Sequence, residues 1–367
     1  MARSTKRKKD GRALVVTGGA GWLGRALLSR IANDATELGI DSVTVLARDA
    51  AEESVVRATW GPGRPTPFTV VSGDIVDPTT SARLLDTVDT FDTSSARPID
   101  IVHTAGVIHP SRFADLHDVN VTGVRNITEA ALVQRDRATV VHVSSNSPFG
   151  TNPHPLDRFR AVEPYNPYLA YGDSKMRGEL ALLDAVGRGL RGVIVRPPWF
   201  YGPFQPARQT TFFTMVKNGR FPVLGSGMQN RSMVFIENLV DGVLAARRHL
   251  VDGGDAGKGW WVADSRPYTV VEIVETVGRA LRDEGHRVKE NSLRLPDLVG
   301  RLAERADRLL QARGVYNQQV HVLGEMNKTI ACDIAATTAE IGYTPRVELY
   351  EGMRASIRWC AENGIEL

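Results

Sequence analysis

The sequence predicts an α/β fold built on a doubly wound parallel sheet, and three observations carry that expectation. Short apolar runs recur at regular intervals, most of them without polar alternation, as strands buried on both faces require. The stretches between them are long enough for crossover helices. A glycine-rich turn directly follows the first run and opens a helical pattern.

Taken in order, strands are expected over 13–16, 43–46, 68–71, 99–102, 140–143 and 193–195, with helices over 22–33 and 118–132 among the crossovers. Beyond Arg196 the pattern changes. Pro197, Pro198, Pro203, Pro206 and Pro222 break the chain into short pieces, and apolar runs at 233–236 and 260–263 are expected to return to the sheet. The segment 298–310 is amphipathic, with Leu298, Leu302, Ala306, Leu309 and Leu310 on one side; Glu304 and Asp307 partly balance Arg301, Arg305 and Arg308. A helix covering a substrate lobe is the expectation there, with a membrane-surface helix as the alternative. The domain organisation that follows is a disordered basic tail over 1–11 and a dinucleotide-binding domain over 12–196 with returns near 231–263. A smaller, mostly C-terminal substrate-binding lobe takes 197–230 and 264–367.

The 367-residue chain carries 45 Lys and Arg against 42 Asp and Glu, a net charge of +3. The excess is local. Arg3, Lys6, Arg7, Lys8, Lys9 and Arg12 stand among the first twelve residues with Asp10 as their one acid, so the remainder is slightly acidic. This tail lacks the apolar stretch of a secretory signal and reads as an extension rather than a nucleic-acid contact. No run approaches the roughly 18 apolar residues of a membrane span. Cys332 and Cys360 form neither a CxxC pair nor a disulfide framework, which suits a reducing, cytoplasmic compartment. The eight histidines do not cluster with carboxylates or cysteines, so no metal site is expected. His103 and His142, in strand-like segments, are expected to be satisfied core residues.

The turn reads Thr17-Gly18-Gly19-Ala20-Gly21-Trp22-Leu23-Gly24. The spacing of Gly18, Gly21 and Gly24 lets the chain turn tightly, lets backbone approach a pyrophosphate and lets the helix pack on the strand, as in a Rossmann-type dinucleotide site. At the end of the second strand stands Ala47-Arg48-Asp49. Ala47 removes the carboxylate that would repel a 2′-phosphate, and Arg48 offers it a fork of donors, so NADP is expected. A register shift of two residues would instead make Asp49 a ribose ligand, with NAD as the cofactor.

Tyr171 and Lys175 are four apart in a helical segment expected to start at Asn166-Pro167, which puts both on one face. A free tyrosine titrates near about 10 and is a poor proton shuttle at neutral pH. The Lys175 ammonium should favour the phenolate and lower that value. Tyr171 could then act as general acid in reduction and general base in oxidation.

Together with Gly73-Asp74-Ile75, His103-Thr104-Ala105-Gly106, Asn120-Val121-Thr122-Gly123, Ser144-Ser145 before Phe149-Gly150, and Arg196-Pro197, these pieces resemble the extended short-chain dehydrogenase/reductase superfamily. That group includes nucleotide-sugar epimerases and 3β-hydroxysteroid dehydrogenases, and the resemblance covers nearly the whole chain after the tail. It implies cofactor contacts from Gly18, Gly21, Trp22, Leu23 and Gly24, from Asp74 and Ile75 at the adenine, from Ala105, Gly106 and Pro197, and from Tyr171 and Lys175. It implies Ser145 as the catalytic hydroxyl, with Ser144 the adjacent candidate, and Asn120 as support for proton relay or simply for its helix. A homodimer through two helices beside the sheet, one of them the tyrosine helix, is also implied.

Departures from the resemblance indicate the branch. Dehydratases usually carry an Asp-Glu pair after the catalytic hydroxyl residue; Asn146-Ser147 stand here, so water elimination is not expected. Where nucleotide-sugar enzymes commonly have an asparagine before Tyr201-Gly202, this chain has Trp199, which with Phe149 suits an apolar or aromatic substrate. Arg231 points the other way, toward a nucleotide diphosphate. The leading expectation is an NADP-dependent interconversion of a secondary alcohol and a ketone. A nucleotide-sugar epimerase or ketoreductase is second, and a nucleotide-binding scaffold without turnover is third.

Overall fold

The computed structural model describes residues 11–90 and 97–367; residues 1–10 of the expected tail lie outside them. Seven strands form one parallel sheet: β1 (Arg12–Thr17), β2 (Ile40–Ala47), β3 (Phe68–Ser72), β4 (Ile99–His103), β5 (Ala138–Val143), β6 (Arg191–Arg196) and β7 (Gly259–Trp261), ordered β7-β6-β5-β4-β1-β2-β3. β1 pairs with β2 through Ala13 and Ser42 and with β4 through Ala13 and Ile99. Strand order reverses between β1 and β4, which places a ligand crevice at their carboxyl ends.

The helices that matter below are α1 (Trp22–Asp34), α2 (Ala50–Trp60), α3 (Pro78–Asp86), α4 (Val124–Val133), α5 (Leu169–Gly187), α6 (Ala207–Lys217), α7 (Ile236–Val251), α8 (Val270–Asp283), α9 (Asp297–Gln311) and α10 (Gln318–Glu325). Leu14 and Val16 of β1 share a buried cluster with α1 and α7; Ala13 and Val15 face the opposite layer with α3, α4 and α5. That two-sided burial is why the strands show no polar alternation. The expected helix over 118–132 is a π-helical turn, Asp118–Gly123, running into α4.

Two expectations about the C-terminal half need correcting. The run at 260–263 does return to the sheet, as β7, but Met233–Phe235 does not. It pairs with Trp199–Tyr201 in a separate two-stranded ribbon. Pro197 and Pro198 carry no N–H, so the ladder of β6 stops at Arg196 and the chain leaves the sheet plane. Tyr201 and Phe235 of that ribbon are buried in the same apolar cluster as Leu14, so lobe and sheet share a core.

The second correction concerns α9. Its buried residues are Gly300, Ala303, Asp307 and Gln311, whereas Leu298, Leu302 and Leu309 are 53%, 52% and 62% exposed. The apolar side faces out because the inner side has specific polar and close-packed partners. The Asp307 carboxylate meets His321 Nδ1 of α10 at 2.7 Å, and a Cβ on Gly300 would stand 2.7 Å from Leu224.

Arg12 belongs to β1 rather than to the tail. Asp100 on β4 is fully buried, and its carboxylate accepts from Arg12 Nε at 2.8 Å, from Arg247 Nε of α7 at 2.7 Å and from the Thr139 hydroxyl at 2.9 Å. Replacing Asp100 with alanine strands two guanidinium groups, and Arg247 is itself buried. A loss of about 3–5 kcal/mol is expected from chemical denaturation. A change below about 1 kcal/mol would show that water solvates these groups in the folded protein.

Candidate active site

The glycine turn spans the crevice between β1 and β4. Gly18 has φ +72°, and a Cβ there would lie 2.6 Å from the Ala105 nitrogen. A Cβ on Gly24 would stand 2.1 Å from the Gly18 carbonyl oxygen. Gly21 donates to that same oxygen at 3.0 Å and sits at the N-cap of α1 with no side chain over the helix end. The N–H groups of Trp22, Leu23 and Gly24 are left for an anion, with the positive end of the helix dipole behind them. The turn fits a dinucleotide pyrophosphate. Trp22 ties it to the lobe, its indole donating to the Pro203 carbonyl at 2.6 Å and its ring 4.7 Å from Phe200.

At the adenosine end, β2 stops on buried Ala47, whose carbonyl accepts from Gly73 at 2.9 Å. Asp49 caps α2, accepting from the Glu52 N–H at 2.9 Å, and that bond holds its carboxyl below the usual range. Asp49 is thereby engaged in a helix cap. The exposed Arg48 guanidinium pairs with Glu52 at 3.1 Å and with Asp49 at 3.5 Å. Ile75 is buried beside Gly123, and Asn126 fixes the segment by donating to the carbonyls of Ile75 and Val76 at 2.9 and 2.8 Å. The neighbouring Asp74 carboxylate accepts from Val76 N at 3.0 Å.

The residues expected to handle the proton lie on the other wall. The Ser145 hydroxyl accepts from Ser147 N at 3.2 Å, and it acts on Tyr171 in the direction that lowers the phenol. Ser144 is buried, and among the described residues its hydroxyl has no hydrogen-bond partner; Ser145 is the serine that acts on the tyrosine. α5 starts later than the sequence suggests. Asn166 N donates to the Pro148 carbonyl, Tyr168 N donates to that of Ser147, and Leu169 takes φ +53°, left-handed for a leucine. Its cap is supplied from the lobe: Gln311 Oε1 of α9 accepts from Ala170 N at 3.0 Å.

The expected electrostatic link between Lys175 and Tyr171 is replaced by another. Lys175 Nζ donates to the Val143 carbonyl at 2.9 Å, and burial lowers it to about 8 against the opposing charge of Glu179. Burial pushes the Tyr171 phenol up to about 12; the Ser145 hydrogen bond and the charge of Arg208 act in the lowering direction, and Glu325 opposes them. Tyr171 is therefore a protonated phenol at neutral pH. Asn120 is fully buried in the π-helical turn. It accepts from Val107 N at 2.9 Å and donates to Val107 O at 2.8 Å and to the Ser174 hydroxyl at 3.0 Å. Gly106 lies between this amide and the lysine, where a Cβ would be 3.2 Å from Asn120 Oδ1 and 3.7 Å from Lys175 Nζ.

Of the three side chains expected at the substrate, Phe149 is misplaced. It is buried among Tyr165, Phe159 and Trp261, with the Arg196 guanidinium 4.5 Å above its ring, and its role is packing. Pro197 is likewise buried, one residue past Arg196. Trp199 is 41% exposed, its indole edge-on to Phe212 at 5.3 Å. Arg231 donates to the backbone carbonyl of Glu325, and burial lowers its pKa while Glu325 and Tyr168 oppose the shift.

Sequence reasoning missed the residues that the lobe brings over the tyrosine. Arg208, at the start of α6, lies over the Trp22 ring at 5.8 Å, and its charge reaches Tyr171 and Tyr316. The Tyr316 hydroxyl meets His109 Nδ1 at 2.7 Å across 207 residues of sequence. Burial, with Arg208 and His321 adding to it, lowers His109 to about 4, so its ring is neutral. His103 and His142 are buried and deprotonated. His103 bonds Thr17 at 2.7 Å, but among the described residues both His142 nitrogens lack hydrogen-bond partners, so only His103 matches the satisfied-core expectation, and it does so through one nitrogen. Among the described residues no group of His, Cys, Asp and Glu could hold a metal ion.

A reversing parallel sheet, a pyrophosphate-shaped turn and a Ser–Tyr–Lys wall define an extended short-chain dehydrogenase/reductase. The model of the NAD dependent epimerase/dehydratase family matches residues 14–259, and the chain belongs to that family of enzymes. An uncharacterized Sinorhizobium fredii protein, y4nL, is 42% identical over 357 residues, 96% of each chain. A 4-hydroxy-2-methyl-3-oxo-4-farnesyl-3,4-dihydroquinoline-1-oxide ketoreductase of Stigmatella aurantiaca is 25% identical over 93% of this chain and 94% of its own. Among solved structures, the Streptomyces venezuelae dTDP-glucose 4,6-dehydratase DesIV, with NAD and TYD bound, superposes with a TM-score of 0.70 at 24% identity. That match covers 96% of this chain and 97% of DesIV, and it speaks to the fold.

Gly24→Ala tests the turn. Its methyl would have to displace the Gly18 carbonyl, so dinucleotide binding should fall below detection by calorimetry, with a stability loss of about 1–3 kcal/mol. Retained affinity would mean that the turn does not cradle the pyrophosphate.

Proposed function

We propose that the chain is an NADP-dependent oxidoreductase that interconverts a secondary alcohol and a ketone on a small, partly apolar substrate. The observation that carries this reading is the placing of Tyr171 and Lys175 four apart in α5, with the Ser145 hydroxyl acting on the phenol. A bound nicotinamide supplies or takes the hydride. The chain's own residues manage the oxygen and its proton. Ser145 donates to the substrate oxygen as negative charge builds on it. Tyr171 delivers a proton to that oxygen in reduction and removes it in oxidation. Lys175, Gly106 and the glycine turn line the place where the dinucleotide lies.

Water elimination is disfavoured because no carboxylate follows Ser145. The half-exposed Trp199 indole, packed on Phe212, offers apolar surface in the lobe, and the named substrate of the Stigmatella ketoreductase carries a farnesyl chain. NADP is favoured over NAD because Asp49 is taken up by a helix cap while Arg48 stands exposed beside Ala47. Dimerisation across α4 and α5, near the exposed Val133 and Leu180, belongs to the same reading. The second reading, a nucleotide-sugar epimerase or ketoreductase, rests on Arg231 and on the likeness to nucleotide-sugar enzymes such as DesIV. Calorimetric binding of uridine or thymidine diphosphate sugars, lost in Arg231→Ala, would replace the first reading with the second.

Ketone-dependent NADPH oxidation should fall roughly 10²–10⁴-fold in Tyr171→Phe. Arg48→Ala should flatten the preference for NADPH over NADH by about tenfold, the worth of one charge-assisted contact. Equal affinities in the unaltered enzyme would overturn the choice of NADP. Because burial raises the phenol to about 12, reduction should dominate at neutral pH and alcohol oxidation should climb toward alkaline pH. A pH-independent oxidation rate would remove Tyr171 as the base.

A further inference from the structure

The outward face of α9 is a feature of the lobe that the proposed reaction does not use. Leu298, Leu302 and Leu309 stand on one narrow stripe of the helix, all more than half exposed, and exposed Val315 follows. The stripe runs roughly 16 Å along the axis. Its charges are sorted. Asp307 is buried on His321, and Glu304 is engaged by Lys328 at 2.7 Å and Arg308 at 3.2 Å. Arg301, Arg305 and Arg313 are exposed and, among the described residues, form no ion pair; Asp297 at the helix start is the one acid nearby that is exposed. The helix thus turns its acids inward or pairs them, and presents leucines interleaved with uncompensated arginines.

We propose that this face of α9 is a docking surface for an anionic phospholipid bilayer. The geometry suits an interfacial helix lying in the membrane plane. Leucines enter the acyl boundary while Arg301 and Arg305 beside them keep their guanidinium groups at the phosphates. The unpaired cations select this occupant over a purely apolar one, because a like-charged copy of the same stripe would repel. Among the described residues no helix is long and apolar enough to cross a membrane, so attachment is peripheral and reversible.

The test is co-sedimentation of the full-length protein with vesicles of phosphatidylcholine, with and without phosphatidylglycerol. Binding is expected only with the anionic lipid and should weaken as salt rises. Arg301→Ala with Arg305→Ala should reduce partitioning roughly 30-fold, two cations near a charged surface. Leu302→Ser with Leu309→Ser should reduce it at least about tenfold, with thermal unfolding and soluble-substrate turnover unchanged. No binding, or binding indifferent to both double variants, would overturn the proposal. So would a concentration-dependent dimer that the leucine variant dissociates, since a second copy would then cover the stripe.

Discussion

Glu179 is fully buried on the inner side of the catalytic helix, where a carboxylate persists only if other groups satisfy it. Arg196, the last residue of β6, donates to it at 2.7 Å, and the Tyr165 hydroxyl donates at 2.8 Å. The same guanidinium lies over Phe149, which closes the turn that starts at Ser145. One ion pair therefore fixes α5 against the sheet and against the serine turn. Gly172 completes the fit, since any side chain there would meet the Ser147 carbonyl at 2.5 Å. Lys175, one turn before Glu179, is aimed by this clamp at the end of β5.

The other end of α5 is held by the lobe. Gln311 caps Ala170 and is itself held by its bond to the buried Asp307 at 2.9 Å, which also binds His321. A polar inner face on α9 is thus a structural requirement of the catalytic helix. It explains why the leucines of that helix face out. An amphipathic pattern records that two faces differ, and it does not say which of them finds partners.

This marks the boundary of what the sequence shows. The strands of the sheet and the glycine turn were legible because they are local: unbroken apolar runs, and three glycines whose spacing matches a single turn. Ser145, Tyr171 and Lys175 stood out as candidates because they lie in short contiguous motifs. The route of Met233–Phe235 was not, since apolar runs look alike whichever strand they pair with. Phe149 read as a substrate residue because nothing near it in sequence reveals Phe159, Trp261 and Arg196 around it. Arg208, His109, Tyr316 and Glu325 carry no motif and meet only because the lobe folds back over α5.

Burial is the main influence on the Tyr171 phenol, and two of those unread residues, Arg208 and Glu325, add smaller opposing charges. Burial acts in opposite directions on the pair, raising the Tyr171 phenol and lowering the Lys175 ammonium, so each is moved toward its neutral form. The charges acting on the phenol come from the lobe, Arg208 from α6 and Glu325 from α10, and they oppose each other. The nucleotide-binding half therefore supplies a phenol, a hydroxyl and a cradle common to the family. The lobe supplies the charges of Arg208 and Glu325 that act on that phenol. A change in the seating of α9 and α10 would move Glu325 and the Gln311 cap together, altering acid strength and helix position in a single step.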